Sequence, residues 1–91
     1  TPLIVAAKHN RLDIVDFLLT QSGLEIDAAD ADGRTALMVA AAVGALDVTA
    51  SLLKAGANRH LKDRAGLNAD NWAGKFGHLN LMRFIAQQIY Y

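Results

Sequence analysis

"TPLIVAAKHNRLDIVDFLL" (residues 1–19) and "TALMVAAAVGALDVTASLL" (residues 35–53) are two versions of one stretch. At an offset of 34, nine of nineteen positions are identical: Thr1/Thr35, Leu3/Leu37, Val5/Val39, Ala6/Ala40, Ala7/Ala41, Leu12/Leu46, Asp13/Asp47, Leu18/Leu52 and Leu19/Leu53. Ordinary residue frequencies would give about one or two by chance. A third copy, "NADNWAGKFGHLNLMRFIA" (68–86), follows at an offset of 33. It shares four identities with the second copy and keeps apolar residues at Val48/Leu81 and Leu52/Ile85. Self-similarity at this period marks an array of stacked units.

Each copy reads as two short helices. Thr1, Thr35 and Asn68 suit an N-cap, where a side-chain oxygen accepts from the unpaired amides of the first turn. Pro2 falls at the first helical position, where its missing donor costs nothing. Asn10, Gly44 and Gly77 are residue types that tolerate the left-handed conformation of a helix stop. In the second helix, Leu12, Val15, Leu18 and Leu19 share a stripe, as do Leu46, Leu52 and Leu53 in the next copy. The Ala6-Ala7 and Ala40-Ala41 pairs let helices approach closely. One helical pair cannot bury its stripe alone, so neighbouring copies must stack.

With its threonine opening, paired alanines, glycine stop, leucine-rich second helix and "KAGAN" close, the unit resembles an ankyrin repeat. The likeness spans essentially the whole chain. It implies an all-α helix-turn-helix solenoid with β-hairpin finger loops between repeats, as one domain of three units, 1–33, 34–66 and 67–91. The family's opening histidine is replaced by Ile4, Met38 and Asn71, so its usual bond to the threonine is lost. Asp70 stands where Leu3 and Leu37 sit, and the more polar last copy resembles a capping repeat. The closing "IYY" (89–91) points the other way, towards packing under the last helix or against further sequence. The chain opens at Thr1 rather than methionine, which leaves open whether it is a piece of a longer protein with flanking signals.

"DAADADG" (27–33) has the look of a calcium loop. With Gly33 as the sixth position of such a loop, the first is Ala28 and the twelfth Val39, and two required ligands are missing. The resemblance instead makes "DADG" (30–33) and "DRAG" (63–66) the finger tips. There Asp30 and Asp63 accept backbone amides, and Gly33 and Gly66 supply positive φ. Copy one carries one extra residue before its tip, with Leu24 and Ile26 expected over the helix ends.

Other chemistry finds little footing. Nine basic residues balance nine acidic ones, which argues against nucleic acid or an anionic membrane as partner. No apolar run reaches the roughly 20 residues of a membrane span. Without cysteines there are no disulfides or thiolate metal sites. His9, His60 and His78 show no zinc-binding pair spacing. "GKF" (74–76) lacks a phosphate loop's other residues, and Ser22 and Ser51 have no base nearby in the pattern. His78 is read as structural, and Trp72, in the column of Val5 and Val39, as packing. No catalytic, cofactor or metal site is expected.

What remains is surface. The positions that vary between copies are Ala31, Asp32 and Arg34, then Arg64, Ala65 and Leu67, at the fingers. At the first-helix ends they are Lys8 and His9, Ala42 and Val43, and Lys75 and Phe76. In ankyrin-like stacks these sets line one concave face that commonly binds proteins. Val43, Leu67 and Phe76 beside Arg34, Arg64 and Lys75 make apolar anchors with cationic neighbours, a combination suited to a partner protein. The expected function is a non-catalytic protein–protein interaction scaffold in the cytoplasm or nucleus. A regulatory or targeting segment of a longer enzyme or channel is the alternative. Self-association through apolar end faces is also open.

Overall fold

Thr1 and Thr35 each begin a helix by accepting, through Oγ1, the amide three residues on, Ile4 at 3.1 Å and Met38 at 3.3 Å. Asn68 does the same for Asn71 at 2.9 Å, and the Asn71 side chain accepts the Asn68 amide at 3.1 Å. That reciprocal pair closes a capping box in the copy whose opening is least typical. The structure is a computed structural model and describes residues 1–88. The closing "IYY" falls outside the described residues.

The helices so started are α1 (Pro2–Lys8), α3 (Ala36–Val43) and α5 (Ala69–Lys75). Each ends at a residue of positive φ: Asn10 at 53°, Gly44 at 82° and Gly77 at 79°. The following amide then returns to the carbonyl five residues back, Arg11 to Ala6 (2.9 Å), Ala45 to Ala40 (3.0 Å) and His78 to Ala73 (2.9 Å). Those same residues open α2 (Leu12–Leu19), α4 (Leu46–Lys54) and α6 (Leu79–Ala86) without any side-chain cap. One residue thus ends one helix and begins the next, which keeps every hairpin tight.

The hairpins stack with α3 between α1 and α5, forming an inner layer, and with α2 against α4 outside it. Ala7, Ala40, Ala41 and Ala73 have no exposed surface. They are small enough to let backbones meet, and the apolar core fills in around them with Leu37, Val48, Leu52, Leu53 and Ile85. Burying one such large side chain contributes roughly 1.5–3 kcal/mol. Leu24 and Ile26 pack partly buried against this core. Leu46, assigned by its spacing to the apolar stripe, is 52 % exposed. It is the first residue of α4 and borders an open depression at the hairpin turns, with His78 and Leu79 of the next copy.

The fingers carry no strand among the described residues. Each holds a backbone turn bond, Gly33 N–H to the Asp30 carbonyl and Gly66 N–H to the Asp63 carbonyl, and one rung, Asp30 N–H to the Arg34 carbonyl and Asp63 N–H to the Leu67 carbonyl, all 3.0 Å. The return bond of a ladder is intercepted by a carboxylate. Asp30 Oδ1 accepts the amides of Asp32 and Arg34 (both 2.9 Å), and Asp63 Oδ1 those of Ala65 (2.9 Å) and Leu67 (3.0 Å). Backbone and carboxylate therefore close the turn together, and pairing does not propagate. One bond joins the two fingers, from the Arg64 amide to the Asp32 carbonyl at 3.0 Å. A further link joins successive copies, Asn58 N–H to Asp27 Oδ1 at 2.9 Å.

Gly33 and Gly66 share a φ near 80° (79° and 82°), yet a Cβ on Gly33 would meet Asp63 Cα and Arg64 N at 3.2 Å, whereas Gly66 faces open space. Gly33→Ala should therefore lower stability by about 2–3 kcal/mol and Gly66→Ala by about 1–2 kcal/mol; equal losses in urea unfolding would mean that the fingers do not touch. Thr49 is fully buried and its hydroxyl has no hydrogen-bond partner. Its counterpart in the first copy is Val15, so Thr49→Val should raise stability by about 1–2 kcal/mol in the same assay. The Arg34 amide chiefly, with the Asp32 amide and the Arg34 charge, holds the Asp30 carboxyl below its ordinary pKa. The Leu67 amide chiefly, with the Trp72 indole and the Ala65 amide, does the same for Asp63. Depressed carboxyls stabilise the fold fully above their unfolded value, about pH 4, and that contribution disappears as pH falls through the lower folded values. Urea midpoints should decline below about pH 4, and Asp30→Asn with Asp63→Asn should flatten that decline.

Candidate functional site

Because the inner helices lie side by side and the fingers rise beside them, their outward faces form a groove of about 410 Å³. Its floor comes from Ile4 and Val5 of α1 and Met38, Val39 and Ala42 of α3. Lys8, Val43, Trp72 and Phe76 form its sides, and Asp30 and Arg34 of the first finger close one end. Ile4 and Met38, standing where the family has histidine, are buried, so the floor is apolar. Val5, Val43 and Phe76 are 55 %, 43 % and 53 % exposed. Scattered singly such residues would be ordinary; gathered in one concavity they are a surface ready to be covered.

Trp72 organises the α5 side. Its ring stacks on Phe76, with centroids 5.8 Å apart and planes within 9°. Its Nε1 donates to Asp63 Oδ2 at 2.8 Å, and Lys75 Nζ stands 4.9 Å from the ring centroid. The indole, assigned to packing by its column, lies half-buried: one part rests on the core and another lines the groove. A bulky aromatic in a column otherwise filled by valine was the available signal, since a closed core column could not have absorbed it.

The residues singled out in the sequence divide on the structure. Lys8, Arg34, Val43 and Phe76 line the groove, and Lys75 joins them through Trp72. His9 does not; it borders a separate depression with Pro2, Arg11 and Ile14. Ala31, Asp32 and Arg64 are exposed on the finger tips, outside the groove lining. Leu67 is half-buried, because its amide and carbonyl are both drawn to Asp63, and it presents less apolar surface than its position suggested. Val5, Val39 and Trp72 were missed as groove residues. Arg34 is committed, with Nε 3.2 Å from Asp30 Oδ2 and Nη2 2.7 Å from Asp32 Oδ2.

Asp30 at the groove and Asp63 behind Trp72 each accept several donors and are held below the usual carboxyl range, which makes them poor general bases. No group of three or more potential metal ligands occurs among the described residues. His78 has a structural contact: its ring lies against Gly44, where a Cβ would come within 2.7 Å, and Nε2 donates to the Ala42 carbonyl at 3.1 Å. No helix among the described residues is long and apolar enough to cross a membrane.

Comparison with known proteins agrees with this architecture. Residues 1–63 match the family model described as ankyrin repeats (3 copies). The chain is 36 % identical over 86 residues to a probable E3 ubiquitin-protein ligase, XBOS32, of Oryza sativa subsp. japonica, covering 93 % of this chain and 17 % of that protein. It is 46 % identical over 55 residues to the FYVE zinc finger domain protein UPA1 of Mycosarcoma maydis, covering 60 % of this chain and 4 % of that protein. The chain thus spans under a fifth of the length of either relative. Repeat period, helical hairpins and family match converge, and the chain belongs to the ankyrin-repeat family.

Proposed function

We propose that this chain, as units 1–33, 34–66 and 67–91, is a non-catalytic scaffold that binds a partner protein through the groove of α1, α3 and α5 and the fingers beside it. The observation that carries this is the gathering of Val5, Val43 and Phe76, all substantially exposed, in a single concavity with Trp72. Ankyrin repeats are generally protein-interaction modules and typically non-catalytic, and the saturated carboxylates here offer no base. The mechanism is presentation. Helices locked by alanine contacts and turns locked by carboxylates hold the face in place before a partner arrives, so little ordering entropy is lost on binding.

A second reading has its own support. The chain matches a small part of two much longer proteins, one named for a ubiquitin ligase and the other for a FYVE zinc finger. The same groove would then recruit or position a target for a larger protein, as a regulatory or targeting segment. Both readings use one surface.

Affinity capture with the immobilised domain, read by mass spectrometry, tests the surface itself. Phe76→Ala removes a ring whose own stabilising stack is worth about 0.5–1.5 kcal/mol, so the variant stays folded. It should weaken captured partners by at least about 1 kcal/mol, roughly fivefold. Val43→Asp should do likewise. Leu79→Ser, at an exposed position outside the groove, serves as control and should change nothing. Capture that persists in both groove variants and fails in the control would move the site elsewhere.

A further inference from the structure

Building on the groove as a protein-binding site, we infer that it takes an extended peptide segment with an apolar centre and an acidic side chain towards each end, the two acids about five or six residues apart. Lys8, Ala42 and Lys75 occupy equivalent positions at the ends of the three inner helices, offset by 34 and 33 residues. Neighbouring helix axes lie about 8–10 Å apart, so the helices carrying the two lysines are about 16–20 Å apart with α3 between them. An extended chain rising about 3.3 Å per residue crosses that span in five or six residues. An α-helix, rising about 1.5 Å per residue, would need about eleven to thirteen residues to cross the same span.

Charge supplies the sign. Every acid at this face is already committed: Asp30 and Asp32 to Arg34, and Asp63 to its turn amides and the Trp72 indole. Arg34 is neutralised by the same pairs. Lys8 and Lys75 form no ion pair among the described residues. Lys75 instead rests by the Trp72 ring, a contact weak enough in water for a carboxylate to displace. The chain is neutral as a whole, yet this row offers two uncommitted positive charges around an apolar middle formed by Ala42 and Val43, with Phe76 beside Lys75. Complementarity of this kind sets register and steers encounter.

Selection of random nonapeptides on the immobilised domain, followed by fluorescence anisotropy of the labelled winners, decides the matter. Enriched peptides should carry Asp or Glu at two positions separated by four or five residues, with apolar residues between. Lys8→Glu and Lys75→Glu should each weaken them about fivefold. Changing both peptide acids to lysine should restore binding to the doubly reversed domain. Winners that lack the acidic pair but are lost on Phe76→Ser would sink this assignment and leave the groove as the binding site. Winners indifferent to Phe76→Ser would sink both. An absence of enrichment overturns the peptide assignment. So does light scattering that shows dimers converted to monomers by Phe76→Ser, since the occupant would then be a second copy of the chain.

Discussion

Close approach of the inner helices, permitted by alanine, is the constraint from which the other features follow. Ala40 and Ala41 sit between the flanking helices with no exposed surface, and Ala7 and Ala73 are equally enclosed. A larger residue at any of these positions would drive the hairpins apart, because cores packed at crystal-like density have no slack to absorb it. The spacing so set brings the fingers near enough for the Arg64 amide to reach the Asp32 carbonyl. It also brings His78 near enough to cover Gly44. The width of the groove follows from that same spacing.

Much of the fold was legible because repetition exposes equivalence. Thr1 and Thr35 cap as their positions required, and Asn10, Gly44 and Gly77 adopt the positive φ that their residue types allow. The loss of the opening histidine left the caps intact, since the threonine oxygen still takes an amide and Asn71 restores reciprocity in the last copy. That the fingers would close as turns without strands was not legible. A hairpin and a carboxylate-closed turn need the same Asp and Gly, and the competition between Asp30 Oδ1 and the Asp30 carbonyl for the Arg34 amide is settled by geometry that residue types do not record.

The candidate site was legible only in part, for a related reason. Matching columns shows which residues are equivalent, yet equivalent residues need not be equally covered. Val5, Val39 and Trp72 share a column that borders the groove, so treating it as core concealed its outward side. His9 follows Lys8 in sequence, yet it borders a neighbouring depression that shares Val5 with the groove. Leu67 was read as open surface, and its tether to Asp63 half-buries it.

Asp63 has a dual attachment whose effect reaches past the turn it closes. One oxygen fastens the backbone of the second finger, and the other fixes the azimuth of the Trp72 indole. A single carboxylate thereby couples a ring open to visitors with a loop that a visitor need never contact. By reciprocity, whatever steadies the ring also steadies the loop.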